Sequence, residues 1–248
     1  MSFHTLAWYE SIATATASDI QPVQDGIVTI QNNHFFPQDD MDLLYAAPIG
    51  VNVTRSRFIT PAFRQITTPY IRPLIAAAQA ADQDSVADYT RNRLRFKGLE
   101  EIELEAYQDS GGAADFWGVA AVTRSSTPAP AGDIWTMRGT NTNTVTAQAW
   151  TTVATTWQDT LPAGSYSAIG LQYIGATAIA ARLIMEGEFW RPGVVAYGDV
   201  DEQQDPIFRM GNLGEFGRFS SNRMPTLEVI CNAADTSGEV YMDFVRVS

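Results

Sequence analysis

Carboxylates are the side chains in this sequence whose spacing most readily suggests chemistry. Asp199, Asp201 and Asp205 lie in one polar segment, where spaced carboxylates could place oxygen ligands around Ca²⁺. The segment lacks the glycine and the terminal glutamate of an EF-hand loop. We interpret it as a solvated acidic loop in which these three aspartates are the candidate calcium ligands, and we predict no other metal and no cofactor.

Residue types that usually carry catalysis are scarce. The chain has two histidines and one cysteine, and it contains neither a GxSxG elbow nor an HExxH pair. His4 lies near the N-terminus and His34 lies in the turn-like segment 32–37, so we interpret neither as a general base. Cys231 closes the apolar run 227–231, which predicts a buried, unreactive thiol. We therefore predict no catalytic residues and no enzymatic activity.

The charge balance argues against a surface that neutralises nucleic acid. The chain carries 28 acidic and 16 basic residues, and every basic residue except Lys97 is an arginine. The densest basic cluster, residues 91–97, predicts an arginine-rich strand edge or intersubunit surface, with a nucleic-acid contact as the alternative. A separate acidic cluster, residues 39–42, lies in a polar connection. Since no basic N-terminal arm is present, we predict no direct sequence-specific binding of nucleic acid.

Aromatic residues and glycines offer two weaker signals. Trp150 and Trp157 lie seven residues apart, and Phe189 directly precedes Trp190. Core packing is the favoured interpretation of these aromatics, and a sugar-stacking platform is the alternative. The glycines of residues 211–217 follow no strand-to-helix pattern and are interpreted as turn glycines instead of a phosphate cradle.

Period-two alternation of apolar and polar residues predicts a chain built mostly of strands. The clearest runs cover residues 25–31, 48–54, 101–107, 165–173, 226–231 and 239–247. Turn signals rich in glycine, proline, serine and aspartate separate these runs, which is typical of a sandwich or a barrel. One segment differs: residues 74–89 are rich in alanine and follow Pro73, which predicts a short helix inserted in a loop near residues 74–90.

The two halves of the chain end alike, each with what we interpret as a closing hairpin. Leu104-Glu105 and Leu227-Glu228 each lie in a strand-like run that is followed by a Ser-Gly turn and an apolar run. Residues 124–133 are small and polar and contain two prolines, which predicts an extended linker between the halves. The predicted domains are therefore an N-terminal sandwich over residues 1–124, a linker over 125–132 and a C-terminal sandwich over 133–248.

This arrangement of matched closing segments, central linker and helix-bearing loop resembles the double jelly-roll major capsid proteins of tailless icosahedral viruses. In that family two jelly rolls stand side by side in each subunit, and three subunits form a pseudo-hexagonal trimer that tiles the shell. The resemblance implies an all-β fold of two tandem jelly-roll-like β-sandwiches. It also implies a structural protein of the virion, a capsid subunit that self-assembles as a homotrimer and then contacts other virion proteins.

The expected location follows from the termini and the cysteine count. The first ten residues have no basic region followed by an apolar stretch, so no signal peptide is predicted, and no apolar run is long enough to span a bilayer. One cysteine cannot form an internal disulfide, as expected for assembly in the host cytoplasm before release in the virion. The alternative to a capsid subunit is a β-sandwich module that binds carbohydrate, either in a bacteriophage tail or fibre or on a cell surface.

Overall fold

The protein is all-β. The computed structural model describes residues 3–13, 16–50, 53–63, 71, 86–108, 114–142, 144–198 and 206–248. Within these residues the regular structure is strand, apart from two 3-10 turns at Pro61–Phe63 and Pro206–Phe208. The described part of the chain contains no helix with the length and apolar character needed to cross a membrane.

The chain divides into two compact units: an N-terminal unit, Leu6–Arg124, and a C-terminal unit made of Ser125–Ser248 together with Met1–Thr5. The first five residues thus group with the second half of the chain, whereas the sequence suggested the first half. Local contacts explain the difference, because the Thr5 N–H donates to the Arg191 carbonyl at 3.0 Å. The Phe3 ring also meets the Phe216 ring edge-on, with centroids 4.8 Å apart.

Ten strands are assigned to the described residues up to the end of the N-terminal unit. They are β1 (His4–Ile12), β2 (Thr16–Pro22), β3 (Thr29–Gln31), β4 (His34–Phe36), β5 (Met41–Gly50), β6 (Val53–Ile59), β7 (Ala87–Asp88), β8 (Leu94–Phe96), β9 (Glu103–Gln108) and β10 (Ala114–Thr123). Eight of them form one curled sheet in the order β6-β9-β2-β1-β10-β5-β7, with β8 also paired to β5. The remaining two, β3 and β4, form a separate hairpin.

The curled sheet folds back on itself as a sandwich. A short pairing between β1 and β2, at Trp8↔Pro22 and Tyr9↔Gln21, joins its two halves. Side chains from the two halves pack against each other inside, and the rings of Trp8 and Phe58 meet edge-on at 5.5 Å. Such packing removes the apolar faces of both halves from water, which is the main stabilisation of a sandwich.

The described residues of the C-terminal unit form nine strands. They are β11 (Ile134–Asn141), β12 (Thr151–Val153), β13 (Thr155–Trp157), β14 (Ser165–Ile174), β15 (Ala178–Ile184), β16 (Gly193–Val195), β17 (Gly217–Ser220), β18 (Thr226–Cys231) and β19 (Gly238–Arg246). One sheet has the order β13-β11-β19-β14-β17 and the other has the order β12-β18-β15-β16. Without the edge strand β13, eight strands remain in two four-stranded sheets.

Both units have the strand order of a jelly roll. In the C-terminal unit the eight strands, counted along the chain, lie as 1-8-3-6 in one sheet and 2-7-4-5 in the other. In the N-terminal unit β1-β10-β5 followed by β7 and β8 corresponds to 1-8-3-6, and β2-β9-β6 corresponds to 2-7-4. At the fifth position the Ile71 N–H donates to the Ser56 carbonyl of β6 at 2.7 Å. The prediction of two tandem jelly-roll-like sandwiches is confirmed.

In each unit the last two strands lie in different halves of the sandwich. Among the described residues β9 pairs with β2 and β6, and β10 pairs with β1 and β5, so β9 and β10 are not hydrogen-bonded to each other. In the C-terminal unit β18 pairs with β12 and β15, whereas β19 pairs with β11 and β14. The hairpin interpretation was wrong because alternation identifies strands but carries no information about their partners.

Other local predictions had mixed outcomes. Strands at residues 101–107, 165–173, 226–231 and 239–247 are confirmed as β9, β14, β18 and β19 within one or two residues. The predicted strand 48–54 instead contains the end of β5 and the start of β6. Most of the predicted helix, residues 74–85, lies outside the described residues. Its last part is extended, because Ala87 and Asp88 form β7 against Tyr45 and Ala46.

Candidate functional site

The two charge clusters noted in the sequence meet at Asp42 in the N-terminal unit. β8 runs antiparallel to the start of β5, which puts Arg95 directly opposite Asp42. Arg95 Nε donates to Asp42 Oδ1 at 2.8 Å, and Arg93 Nη1 donates to Asp42 Oδ2 at 3.0 Å. The hydrogen bond from Arg95, together with that from Arg93, lowers the pKa of Asp42 although burial of the carboxylate opposes this. Asp42 is therefore a structural anion with its charge matched inside the chain.

The rest of the acidic cluster is paired in the same way. Lys97 Nζ donates to Asp40 Oδ2 at 3.0 Å, and Arg124 Nη2 lies 2.7 Å from Asp39 Oδ2. Hydrogen bonds from the Gly98 N–H and from Lys97 lower the pKa of Asp40. Four cations of the N-terminal unit thus contact the acids of residues 39–42. The arginine-rich strand edge predicted from residues 91–97 is present, and its charge is directed at neighbouring carboxylates.

The proposed calcium ligands Asp199, Asp201 and Asp205 lie outside the described residues. The calcium hypothesis therefore stays a prediction. Further along the chain, Gly211 and Gly214 lie in turns, as predicted, with φ +82° and +94°, whereas Gly217 begins β17. The Gly211 N–H donates to the Ile169 carbonyl at 2.8 Å, and the Glu215 N–H donates to the Thr127 carbonyl at 2.8 Å. These N–H groups hold the turn against β14 and against the segment after Arg124.

His34 lies in a strand and not in a turn. It begins β4, and the following residue Phe35 exchanges backbone hydrogen bonds with Ile102, which directly precedes β9. Nε2 of His34 lies 2.6 Å from Asp19 Oδ2, and Nδ1 lies 3.9 Å from Glu101 Oε2. One potential ligand atom each from His34, Glu101 and Glu103 lies within 4.8 Å of the others. Among the described residues, no other group of three or more His, Cys, Asp or Glu side chains lies close enough together to hold a metal ion.

His4 and Cys231 are both interior. His4 is 1% exposed, and its Nδ1 accepts a hydrogen bond from the Arg191 N–H at 3.1 Å. Cys231 is 1% exposed in β18, and burial raises its pKa to about 12. The predicted buried thiol is confirmed, because a group with such a pKa is almost entirely protonated at neutral pH.

A buried ion-pair network in the C-terminal unit was missed from the sequence. Arg182 of β15 has no exposed side-chain surface, and its Nε donates to Glu228 Oε2 of β18 at 2.7 Å. Arg182 Nη1 donates to the Thr5 carbonyl at 3.0 Å, and Arg191 also donates to Glu228. The Trp150 ring lies 3.9 Å from the Arg182 guanidinium carbon, in a cation–π contact. An arginine in the middle of the apolar strand 178–184 was the available signal.

A second buried carboxylate, Asp243 of β19, is held by residues from two other segments. Arg209 donates two hydrogen bonds to it, at 2.6 and 2.7 Å, and Thr136 Oγ1 donates a third at 2.6 Å. The Met210 N–H donates a fourth at 3.1 Å. Burial by itself would raise the pKa of Asp243, but the hydrogen bonds from Arg209, Thr136 and Met210 together lower it. The carboxylate is therefore ionised and fully engaged, so it is not a poised general base.

The aromatic residues noted in the sequence differ in how far they are exposed to solvent. Trp157 is half-buried, and Trp190 is half-buried beside the His4 ring at a centroid distance of 6.3 Å. Phe189 is 65% exposed, which contradicts the core interpretation for this residue. Ile134 and Trp135 are consecutive residues at the start of β11 that no sequence pattern indicated. They are 47% and 60% exposed. Because adjacent side chains of a strand point to opposite faces, these are two separate exposed apolar positions in the C-terminal unit.

No protein-family model matches the sequence, and no curated protein is significantly similar to it. Among solved structures, the major capsid protein P2 from bacteriophage PM2 aligns over 100% of this chain and 98% of that chain, with 14% identity and a TM-score of 0.30. A Paenibacillus xanthan lyase aligns over 96% of this chain and 25% of that chain, with 12% identity and a TM-score of 0.20. At these TM-scores neither alignment bears on function.

Proposed function

We propose that this protein is a viral coat subunit that self-assembles, through homotrimers, into an icosahedral shell, and that it has no catalytic role. The observation that carries the proposal is the same jelly-roll strand order in both units of one chain. Jelly rolls serve as viral capsid modules as well as lectin and cupin domains. A pair of them in tandem is the architecture of the double jelly-roll capsid subunits, in which three chains supply six similar rolls to one pseudo-hexagonal tile.

The pairing of charges within the chain supports a coat that does not grip the genome through its own basic residues. Arg93, Arg95 and Lys97 contact Asp42 and Asp40, so two carboxylates offset most of their charge within the chain. Phosphate neutralisation requires clustered cations that can exchange their counterions for the nucleic acid. The subunit would therefore enclose the genome without sequence-specific contacts, with other virion proteins as additional partners. Assembly would take place in the host cytoplasm and the final location would be the virion.

The exposed side chain of Trp135 supports contact with a second copy of this chain. The neighbouring edge strand β13 pairs with β11 at Gly139–Asn141, so among the described residues the start of β11 has a strand partner on its β19 side alone. Tryptophan is enriched in the energetically important positions of protein interfaces. Burial of the Trp135 side chain between copies would contribute about 2–3 kcal/mol per contact. We therefore place an intersubunit contact at the start of β11.

Sedimentation velocity of the purified protein, followed by negative-stain microscopy, tests the proposal. We expect trimers, and shells or flat hexagonal arrays at high concentration. Trp135→Lys should shift the distribution toward monomer, whereas the matched variant Phe189→Lys, which changes another exposed aromatic residue, should assemble like the wild type. A monomer at all concentrations and salt conditions would refute the coat proposal. Normal assembly of Trp135→Lys would refute the contact at β11 alone.

Exposed Trp135 and Phe189 also favour a second candidate, a β-sandwich module of a phage tail or cell surface that binds carbohydrate. In such a module an exposed aromatic ring stacks on a sugar face. A glycan array distinguishes the two functions. Specific glycan binding that is lost in Trp135→Ala or Phe189→Ala, in a protein that stays monomeric, would support the module and oppose the coat.

A further inference from the structure

We propose that His34, Glu101 and Glu103 form a binding site for a divalent transition-metal ion of the zinc class. His34 is the first residue of β4, and Glu103 is the first residue of β9. Glu101 directly precedes Ile102, which forms the bridge to Phe35. The ligand atoms of the three residues lie within 4.8 Å of one another, and all three side chains are partly buried. This site is independent of the proposed coat function, because it uses one unit of a single chain.

The orientation of the imidazole is set by Asp19. A carboxylate only accepts hydrogen bonds, so the 2.6 Å contact between His34 Nε2 and Asp19 Oδ2 places the proton on Nε2. The lone pair of a neutral ring is then on Nδ1, on the side of Glu101. Nδ1 is buried and has no hydrogen-bond partner among the described residues. Metal-binding histidines typically show this arrangement, with the second ring nitrogen donating to a carboxylate.

The distances suit a small ion. Zinc binds imidazole nitrogen and carboxylate oxygen at about 2.0–2.2 Å, and tetrahedral geometry then puts neighbouring ligand atoms roughly 3.4 Å apart. Nδ1 of His34 lies 3.9 Å from Glu101 Oε2. Rotation of the Glu101 side chain that moves its carboxylate by about 0.5 Å would bring the two ligand atoms to the tetrahedral separation. A water molecule would take the fourth position of the tetrahedron.

The ligand set selects the class of ion. Imidazole with carboxylates suits zinc, nickel and copper, whereas calcium takes six to eight oxygen ligands and does not prefer a ring nitrogen. Two ligating carboxylates would also neutralise the charge of a divalent cation. Asp19, which is 46% exposed, would orient the ring without touching the metal.

Bound metal would fasten the β3–β4 hairpin to β9. Beneath the site, the Phe35 and Ile102 side chains are 1% and 0% exposed, and their backbones already pair. The backbone contact at this position consists of that one isolated bridge. Coordinate bonds from both sides of this bridge would therefore add to a short contact. The N-terminal unit would then gain stability that increases with the ratio of free metal concentration to Kd.

Calorimetric titration of the full chain, stripped with EDTA, with zinc chloride tests the site. We expect one zinc ion per chain at micromolar affinity or better, a raised melting temperature, and no comparable effect of calcium chloride. Addition of Co²⁺ instead of zinc should give the visible absorption bands of a tetrahedral site. The variants Glu101→Gln, Glu103→Gln and His34→Gln should each weaken zinc binding at least tenfold.

Glu105→Gln is the matched control, because it removes the same charge from β9 while Glu105 is engaged by Arg57 at 2.8 Å. It should bind zinc like the wild type. Asp19→Asn should keep one zinc ion per chain with affinity reduced about 10–100-fold, as for other residues that orient a ligand. Circular dichroism of the metal-free variants checks that each one folds. Absence of zinc binding in the folded wild type, or equal affinity in Glu103→Gln and Glu105→Gln, would overturn the proposal.

Discussion

Arg182 of β15 lies directly opposite Glu228 of β18, and its guanidinium donates a 2.7 Å hydrogen bond to that carboxylate. In the N-terminal unit Arg57 of β6 lies opposite Glu105 of β9 in the same way, at 2.8 Å. Both pairs join the fourth and seventh strands of a jelly roll, and a leucine precedes each glutamate. The two pairs differ in burial, because Arg182 is fully buried whereas the Arg57 side chain is 30% exposed.

This contrast predicts unequal effects of one substitution at two equivalent positions. Glu228→Gln would leave a buried arginine without its counter-charge and should lower the free energy of unfolding by about 3–5 kcal/mol. Glu105→Gln should lower it by about 0–1 kcal/mol, as is usual for exposed pairs. Guanidinium chloride unfolding followed by circular dichroism measures both. Equal losses would show that burial does not set the strength of the pair.

The buried carboxylate of Asp243 predicts sensitivity to acid. Its pKa is lower in the folded protein than the value of about 3.9 for an unfolded chain. Its stabilising contribution is therefore present above about pH 4 and lost as the pH falls through the lower folded pKa. Asp243→Asn should reduce the melting temperature at pH 7 and make its decline below pH 4 shallower. The exposed residue Asp159, changed to Asn, is the control and should leave the curve unchanged.

Cys231 predicts a thiol that reacts after unfolding. Burial raises its pKa to about 12, and the side chain is 1% exposed, so neither thiolate nor access is available in the folded protein. A thiol-reactive chromophore should label the native protein far more slowly than the chain in concentrated guanidinium chloride, where one equivalent should react at once. Comparable rates in the two states would contradict the burial of Cys231.

Replacement by alanine should cost different amounts of stability at two glycines that lie in the left-handed backbone region. At Gly214, which has φ +94°, an added Cβ would lie 2.4 Å from the Thr127 carbonyl oxygen. At Gly187, which has φ +77°, the space within 4 Å is open. Gly187→Ala should therefore cost about 1–2 kcal/mol, from backbone strain alone. Gly214→Ala should cost more, and it should also accelerate proteolysis within residues 125–132, since it pushes that segment off the turn. Equal costs and unchanged proteolysis would argue against this contact.

Much of the fold could be predicted from local patterns. The run that became β9 alternates with period two, because one face of the strand is buried and the other is partly exposed. Cys231 was correctly placed in the interior for a similar local reason. The pattern was misleading at residues 48–54, because the alternation continues across the break between β5 and β6.

The sequence by itself determined that the chain is all-β, that its two halves end alike and that common catalytic residue types are rare. These properties depend on composition and on neighbours along the chain. Only the tertiary structure decided that β9 and β10 lie in different halves of a sandwich, that Arg182 faces Glu228, and that His34 lies beside Glu101. Each of these depends on strand register between residues far apart in sequence, and register is set by packing of the whole sheet and not by any local segment.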